Sequence, residues 1–137
     1  MSASAWVVLA YSAWTLTLLC GIAVLRGALT VSGRRAANSF AVSGEDVSPF
    51  SARLCRAHAN CCENLPPFAA IVLTAIASGA SHLTDPLAPW ALAARIAQST
   101  VHLVSTSETA VRIRFGLFAV QISIQSWWIV LLLRRAS

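Results

Sequence analysis

Three long stretches of this chain carry no charged side chain, and that constrains its fold more than any other feature. Residues 3–25, 64–84 and 115–133 contain no Asp, Glu, Lys or Arg. Each is about 20 residues long, the length a helix needs to cross roughly 30 Å of hydrocarbon. A fourth stretch, residues 86–107, is interrupted only by Arg95. Polar segments separate the four: Thr30–Ser51, a short turn over Ser81–Pro89, and a tight connection at Glu108–Arg112. The runs are continuous rather than alternating, which excludes a β-barrel. The expected fold is all-α, an integral membrane four-helix bundle forming one domain over residues 1–137. Its helices are expected near 4–28, 51–80, 87–107 and 111–134.

Composition agrees. Hydrophobic residues make up 57% and charged residues 11%, against about 25% charged in a soluble domain. So few charges could not coat a water-facing surface. The first apolar run lacks a basic stretch ahead of it and exceeds the roughly 7–15 apolar residues of a signal peptide, so it is read as a retained helix.

The net charge of +5 comes from ten Arg, with no Lys. Nucleic-acid binding is the reflex reading of such a balance, but no soluble surface is available to carry it. Arg without Lys points instead to specific pairing, because guanidinium presents a planar fork to carboxylates. Arg26, Arg34, Arg35, Arg53, Arg56, Arg112 and Arg114 fall at one end of the expected bundle, Arg134 and Arg135 at the other. The positive-inside rule then places the 30–50 loop in the cytoplasm and both termini outside.

Arg53, Arg56, Asn60 and Glu63 are spaced 3, 4 and 3 apart, which puts them within an arc of about 80° on one helix. Pro66 and Pro67 follow and predict a kink. The third helix repeats the spacing with Arg95, Gln98 and His102, and the fourth has Arg114, Phe118, Gln121 and Gln125. A charge at membrane depth costs roughly 2.5–3.5 kcal/mol on insertion scales, so it must face a partner or a wet cavity. Glu63 and Arg95 fall at similar depth, roughly 18 Å in from the cytoplasmic side, and are expected to pair. The resulting picture is a cytoplasm-facing pocket rimmed by arginines, with Asn60 and Glu63 deeper. Several arginines call for an anion, best one with carboxylates, and the acceptors on Glu63 and Asn60 suit its N–H groups. A small zwitterionic peptide with two carboxylates fits.

The segment Arg56-Ala-His-Ala-Asn-Cys-Cys-Glu-Asn-Leu-Pro-Pro-Phe68 strongly resembles the signature of the MAPEG family, membrane-associated proteins of eicosanoid and glutathione metabolism. Ala94-Arg95-Ile96-Ala97-Gln98 and Arg114 look like that family as well. The resemblance covers nearly the whole chain and is nearest to bacterial members, implying the inner membrane. It implies a homotrimer with glutathione as cosubstrate at each subunit interface and a lipophilic substrate arriving from the bilayer. Carried over, Arg56, Asn60 and Glu63 would hold the peptide, flanked by Arg53 and His58. Arg95 and Gln98 would line the third-helix side, with His102 where relatives commonly have a tyrosine. Arg114 would stabilise the thiolate, with Arg112 a weaker candidate, and Arg26 would reach the site from a neighbouring subunit. The only tyrosine is Tyr11, a departure from relatives whose tyrosine hydroxyls contact glutathione.

Three further readings compete with a glutathione-dependent transferase or peroxidase. One is a non-catalytic lipid-binding scaffold of the same fold. Another is a small transporter built on Arg95, Glu63 and His102, although the first helix lacks the carboxylate common in four-helix exporters. The last is a zinc site from Cys55, His58, Cys61 and Cys62; their spacing matches no common zinc motif, so packing is the preferred reading and no metal is expected.

Overall fold

The computed structural model describes residues 1–136. The chain forms α1 (Ala3–Val31), α2 (Pro49–Ala77), the single-turn α3 (Ser81–Thr84), α4 (Ala88–Val104) and α5 (Glu108–Ala136). Local chemistry sets the boundaries. Ser2 and Ser48 cap α1 and α2, their hydroxyls accepting the amides of Ala5 and Ser51. Pro49 opens α2, where a missing N–H does no harm. The Ser107 hydroxyl accepts from the Ala110 amide at the start of α5. Glu108 in the first turn and Arg134 and Arg135 in the last complement the helix dipole.

Among the described residues, two helices are long and apolar enough by themselves to cross a membrane, α1 and α5. Of the rest, α3 is a single turn, and α2 and α4 fall short for identifiable reasons. In α2 the first half carries Arg53, Arg56 and Glu63. In α4 the helix has 17 residues, below the roughly 20 of a full span. The stretch read as a turn at residues 81–89 contains α3, tied to the start of α1: Ser4 and Thr84 hydroxyls meet at 2.7 Å, and the Ser4 amide donates to Asp85 Oδ1 at 2.8 Å. The α2 helix runs unbroken through Pro66 and Pro67.

The apolar centre joins α1, α2 and α5 through one line of rings. Tyr11 and Phe68 stand 5.3 Å apart between centroids, and Phe68 and Trp128 5.9 Å apart, both tilted. All three are buried.

Between α1 and α2 the chain forms a folded loop. The Phe40 ring lies beneath two guanidinium groups, Arg26 at 5.6 Å and Arg35 at 5.0 Å from its centroid. Arg35 pairs with Asp46 at 2.8 Å and donates to the carbonyls of Asp46 and Ser39. The Asp46 carboxylate also accepts the Ala41 amide at 3.1 Å. That amide, with the Arg35 guanidinium, holds the Asp46 carboxyl below its ordinary value of 3.8.

Phe68→Ala removes the middle ring and is expected to lower stability by about 3–5 kcal/mol, read by denaturation in detergent. The loop has its own pH signature. Because the folded carboxyl ionises at lower pH than the unfolded one, its contribution is complete above 3.8 and disappears as pH falls through the folded value. Hydrogen exchange at the Ala41 amide is expected to stay slow down to that range and accelerate below it; in Asp46→Asn the step is expected to be absent.

Candidate functional site

Two adjacent faces of α2 organise the polar residues. The buried face is Leu54, Ala57, Cys61, Asn64, Phe68, Val72 and Ala75. Each member of the arginine stripe stands one position ahead of a buried residue: Arg53 before Leu54, Arg56 before Ala57, Asn60 before Cys61, Glu63 before Asn64. One residue is a rotation of about 100°. The stripe therefore lies on the flank of α2. Arg56 and Glu63 are exposed, while Arg53, Asn60 and His58 are half-buried.

On α4 the expected stripe points inward, with Arg95, Gln98 and His102 all buried. Gln121 and Gln125 of α5 are buried too, and together with Asn64 they form a chain of amides. Asn64 Nδ2 donates to Gln121 Oε1 at 3.3 Å, and Gln121 Nε2 donates to Gln98 Oε1 at 3.1 Å. Gln98 Nε2 donates to the Arg114 carbonyl at 3.2 Å. Gln125 Nε2 donates to Asn64 Oδ1 at 3.1 Å. Asn64 was not among the residues expected from sequence, since it is uncharged and stands one position outside the charged stripe. Its place in the Leu54–Ala57–Cys61–Phe68 periodicity was the available signal.

The expected Glu63–Arg95 pair does not form. Glu63 lies on the outer stripe, whereas Arg95 is only 1% exposed and reaches beneath α2. There Nη1 donates to the Asn60 carbonyl at 3.2 Å, and the guanidinium stands 5.7 Å from the Tyr11 ring centroid. Its Nε and Nη2 meet no hydrogen-bond partner among the described residues. Arg114 is half-buried and meets His102: Nη1 is 2.7 Å from Nδ1 and 2.8 Å from Nε2. A neutral imidazole has one acceptor nitrogen, so one of these two approaches is the hydrogen bond.

The remaining candidates occupy separate places. Arg53 Nε donates to the Leu103 carbonyl at 2.8 Å, bridging α2 to the end of α4. Arg26 is committed within its own chain, to the Ala41 carbonyl at 2.8 Å and the Cys55 sulfur at 3.9 Å. Arg112 is exposed. His58 Nε2 lies 3.4 Å from the Cys62 sulfur. Cys61 instead faces Ser99 at 3.3 Å. Among the described residues no three His, Cys, Asp or Glu side chains gather as a metal site.

Within one chain the stripe borders two shallow depressions. Arg53 and Arg56 line the first, with Glu45, Pro49, Ala52 and Thr106, about 250 Å³. Asn60 and Glu63 line the second, with Asn64, Pro67, Phe118 and Ile122, about 290 Å³. Arg95 and Arg114 border neither. The expected single pocket is thus not closed by one chain: the outer face of α2 presents Arg56, Asn60 and Glu63, and the inner faces of α4 and α5 hold the rest.

A membrane helical bundle cross-linked by buried amides, with an arginine-bearing flank on its second helix, is the class of protein these observations define. The chain belongs to the MAPEG family, whose family model matches residues 4–134. No curated protein and no solved structure gives a match. Membership carries a glutathione-related membrane enzyme function in general terms.

The amide chain offers a direct test. Gln121→Leu keeps the bulk but strands Asn64 Nδ2 and Gln98 Oε1. Leaving a buried polar group unpaired costs about 1–3 kcal/mol, so a stability loss of that size is expected in detergent. Ser123→Leu, on an exposed position of the same helix, is expected to change stability by less than about 0.5 kcal/mol.

Proposed function

We propose that this chain is a membrane-bound, glutathione-dependent transferase whose binding site is completed between copies of the chain, in a homotrimer embedded through four helices. The observation that carries the reading is the outer flank of α2. Arg56 and Glu63 are exposed there, and a carboxylate such as Glu63, deeper along the helix than Arg56, is costly if left facing lipid. A second subunit against this face removes it from lipid and turns two shallow depressions into one enclosed site. Family membership supports glutathione as the ligand; it has two carboxylates, an ammonium and a thiol. Arg53 and Arg56 would take carboxylates, while Glu63 and Asn60 would take N–H groups.

Arg114 is the residue assigned to the sulfur. A free thiol ionises near pH 8.5, and its thiolate is the nucleophile. A guanidinium beside it in a partly dry site favours the anion. His102 shares Arg114 Nη1, and Gln98 holds the Arg114 backbone, so the group is fixed from two sides. The thiolate attacks the electrophilic carbon of a lipophilic substrate, a carbon–sulfur bond forms, and the leaving group departs with its electron pair. With a lipid hydroperoxide the thiolate attacks the terminal oxygen; the alkoxide leaves and takes a proton. A second glutathione then converts the sulfenic acid to the disulfide and water. The apolar substrate would enter from the bilayer, and the active-site mouth would open to the cytoplasm of a bacterial inner membrane.

Tyr11 favours a second reading. The single tyrosine is buried, and its hydroxyl is directed at the Cys61 carbonyl at 3.4 Å, so no phenol is free to meet a thiolate. A non-catalytic lipid-binding scaffold of the same fold would need none.

Purified protein incubated with glutathione and chlorodinitrobenzene, or with cumene hydroperoxide, separates the readings. Arg114→Ala is expected to lower kcat by about 10²–10³-fold, as for loss of one preorganised donor to a developing anion. Arg56→Ala is expected to weaken glutathione binding by about 10- to 100-fold, the scale of one charge-assisted contact. Absence of turnover, with tight lipid binding and no thiolate absorbance on adding glutathione, would favour the scaffold.

A further inference from the structure

The loop between α1 and α2 delivers a carboxylate to the arginine stripe. Glu45 Oε1 stands 3.5 Å from Arg56 Nη2, and both side chains remain largely exposed. An exposed pair of this kind is weak by itself. What distinguishes it is how firmly the neighbouring backbone is placed.

Gly44, immediately before Glu45, is buried with φ +70°, a conformation that favours glycine. A Cβ there would meet the Ser51 hydroxyl at 2.7 Å, the Cys55 sulfur at 2.8 Å and the Ser51 carbonyl at 2.9 Å. The loop backbone therefore lies directly on α2, over Ser51 and Cys55, and the next residue arrives beside Arg56. Independent ties hold the loop in that position. Arg26 donates to the Ala41 carbonyl, Arg35 pairs with Asp46, and Phe40 lies beneath both guanidinium groups. Glu45 also borders the depression that Arg53 and Arg56 line.

We propose that Glu45 is a resident competitor for Arg56. Its carboxylate occupies the guanidinium that a ligand carboxylate requires, so it sets the affinity threshold of the site. This rests on the glutathione reading of the α2 flank. A ligand must displace Glu45 before it engages Arg56, and its apparent affinity falls by the fraction of molecules in which Arg56 is free. For a pair this exposed the factor is small, about two- to five-fold.

Two measurements on the full-length protein in detergent test it. The first is the rate at which phenylglyoxal modifies Arg56, read by peptide mass spectrometry. Glu45→Gln removes the carboxylate. Gly44→Ala and Phe40→Ala shift the loop without changing charge; Phe40→Ala serves where Gly44→Ala does not fold. Faster Arg56 modification in both kinds of variant is expected, and equal rates in all of them overturn the contact whatever the ligand. The second is glutathione affinity by calorimetry, with Glu108→Gln as a control for charge loss elsewhere on the surface. Glu45→Gln and the loop variant are each expected to tighten binding about two- to five-fold. Combined, they are expected to give no more than Glu45→Gln alone, as coupled sites do. Binding that is present but unchanged, or tightened equally by Glu108→Gln, overturns the competitor role and leaves the glutathione reading standing. No glutathione binding by any variant overturns that reading and the competitor role with it, while Arg56 modification still decides whether the loop contact exists.

Discussion

Side-chain amides buried between α2, α4 and α5 fix how these helices are rotated about their own axes. In a bundle surrounded by lipid, apolar contact alone discriminates poorly between rotations, since hydrocarbon offers the same contact on every side. A hydrogen-bonded chain does discriminate. Gln121 of α5 joins Asn64 of α2 to Gln98 of α4 in one arrangement; turning α5 strands groups on both partners, and turning α2 or α4 strands groups on α5. The remaining polar geometry follows from that lock. With Asn64 inward, Glu63 is turned outward. With Gln98 inward, Arg95 one turn earlier and His102 one turn later are carried inward as well.

Arg95 shows what this arrangement demands. A guanidinium taken from water loses strong hydration, and here it recovers only the Asn60 carbonyl and the face of Tyr11. The other arginines near the proposed site are held less completely. Arg26 donates to the Ala41 carbonyl, and Arg53 places its Nε on the Leu103 carbonyl while bordering the same depression as Arg56. Arg56 and Arg114 reach side chains beyond the helices that bear them, Glu45 and His102.

Much of the fold was legible from the chain alone. Charge-free runs marked the helices, because burial in lipid tolerates no unpaired charge. The α4 stripe lies inward throughout, and so do Gln121 and Gln125 of α5, because polar residues at helical spacing within an apolar run need partners inside the bundle; Phe118, on the same α5 stripe, is exposed. The α2 stripe and the Glu63–Arg95 pair were read less well. Depth along a helix is fixed by residue count, but rotation about its axis depends on which of two neighbouring faces the partners accept. On α2 both faces hold polar groups: Asn64 belongs to one and Glu63 to the other. Choosing between them required the amide partners on α4 and α5. The folded loop was also out of reach, since its form depends on rings and guanidinium groups brought together from residues 26, 35 and 40.

The one-residue offset on α2 has a consequence for how this helix can diverge. Substitutions can be absorbed singly along either face. A lengthening or shortening by one residue between Leu54 and Asn64 cannot, because it would turn the arginine-bearing segment by about 100° relative to everything after it. The hydrocarbon-packing seam and the hydrophilic seam would then trade places partway along the rod. The spacing from Leu54 to Asn64 is therefore a fixed count for this fold, in a way that single side chains along it are not.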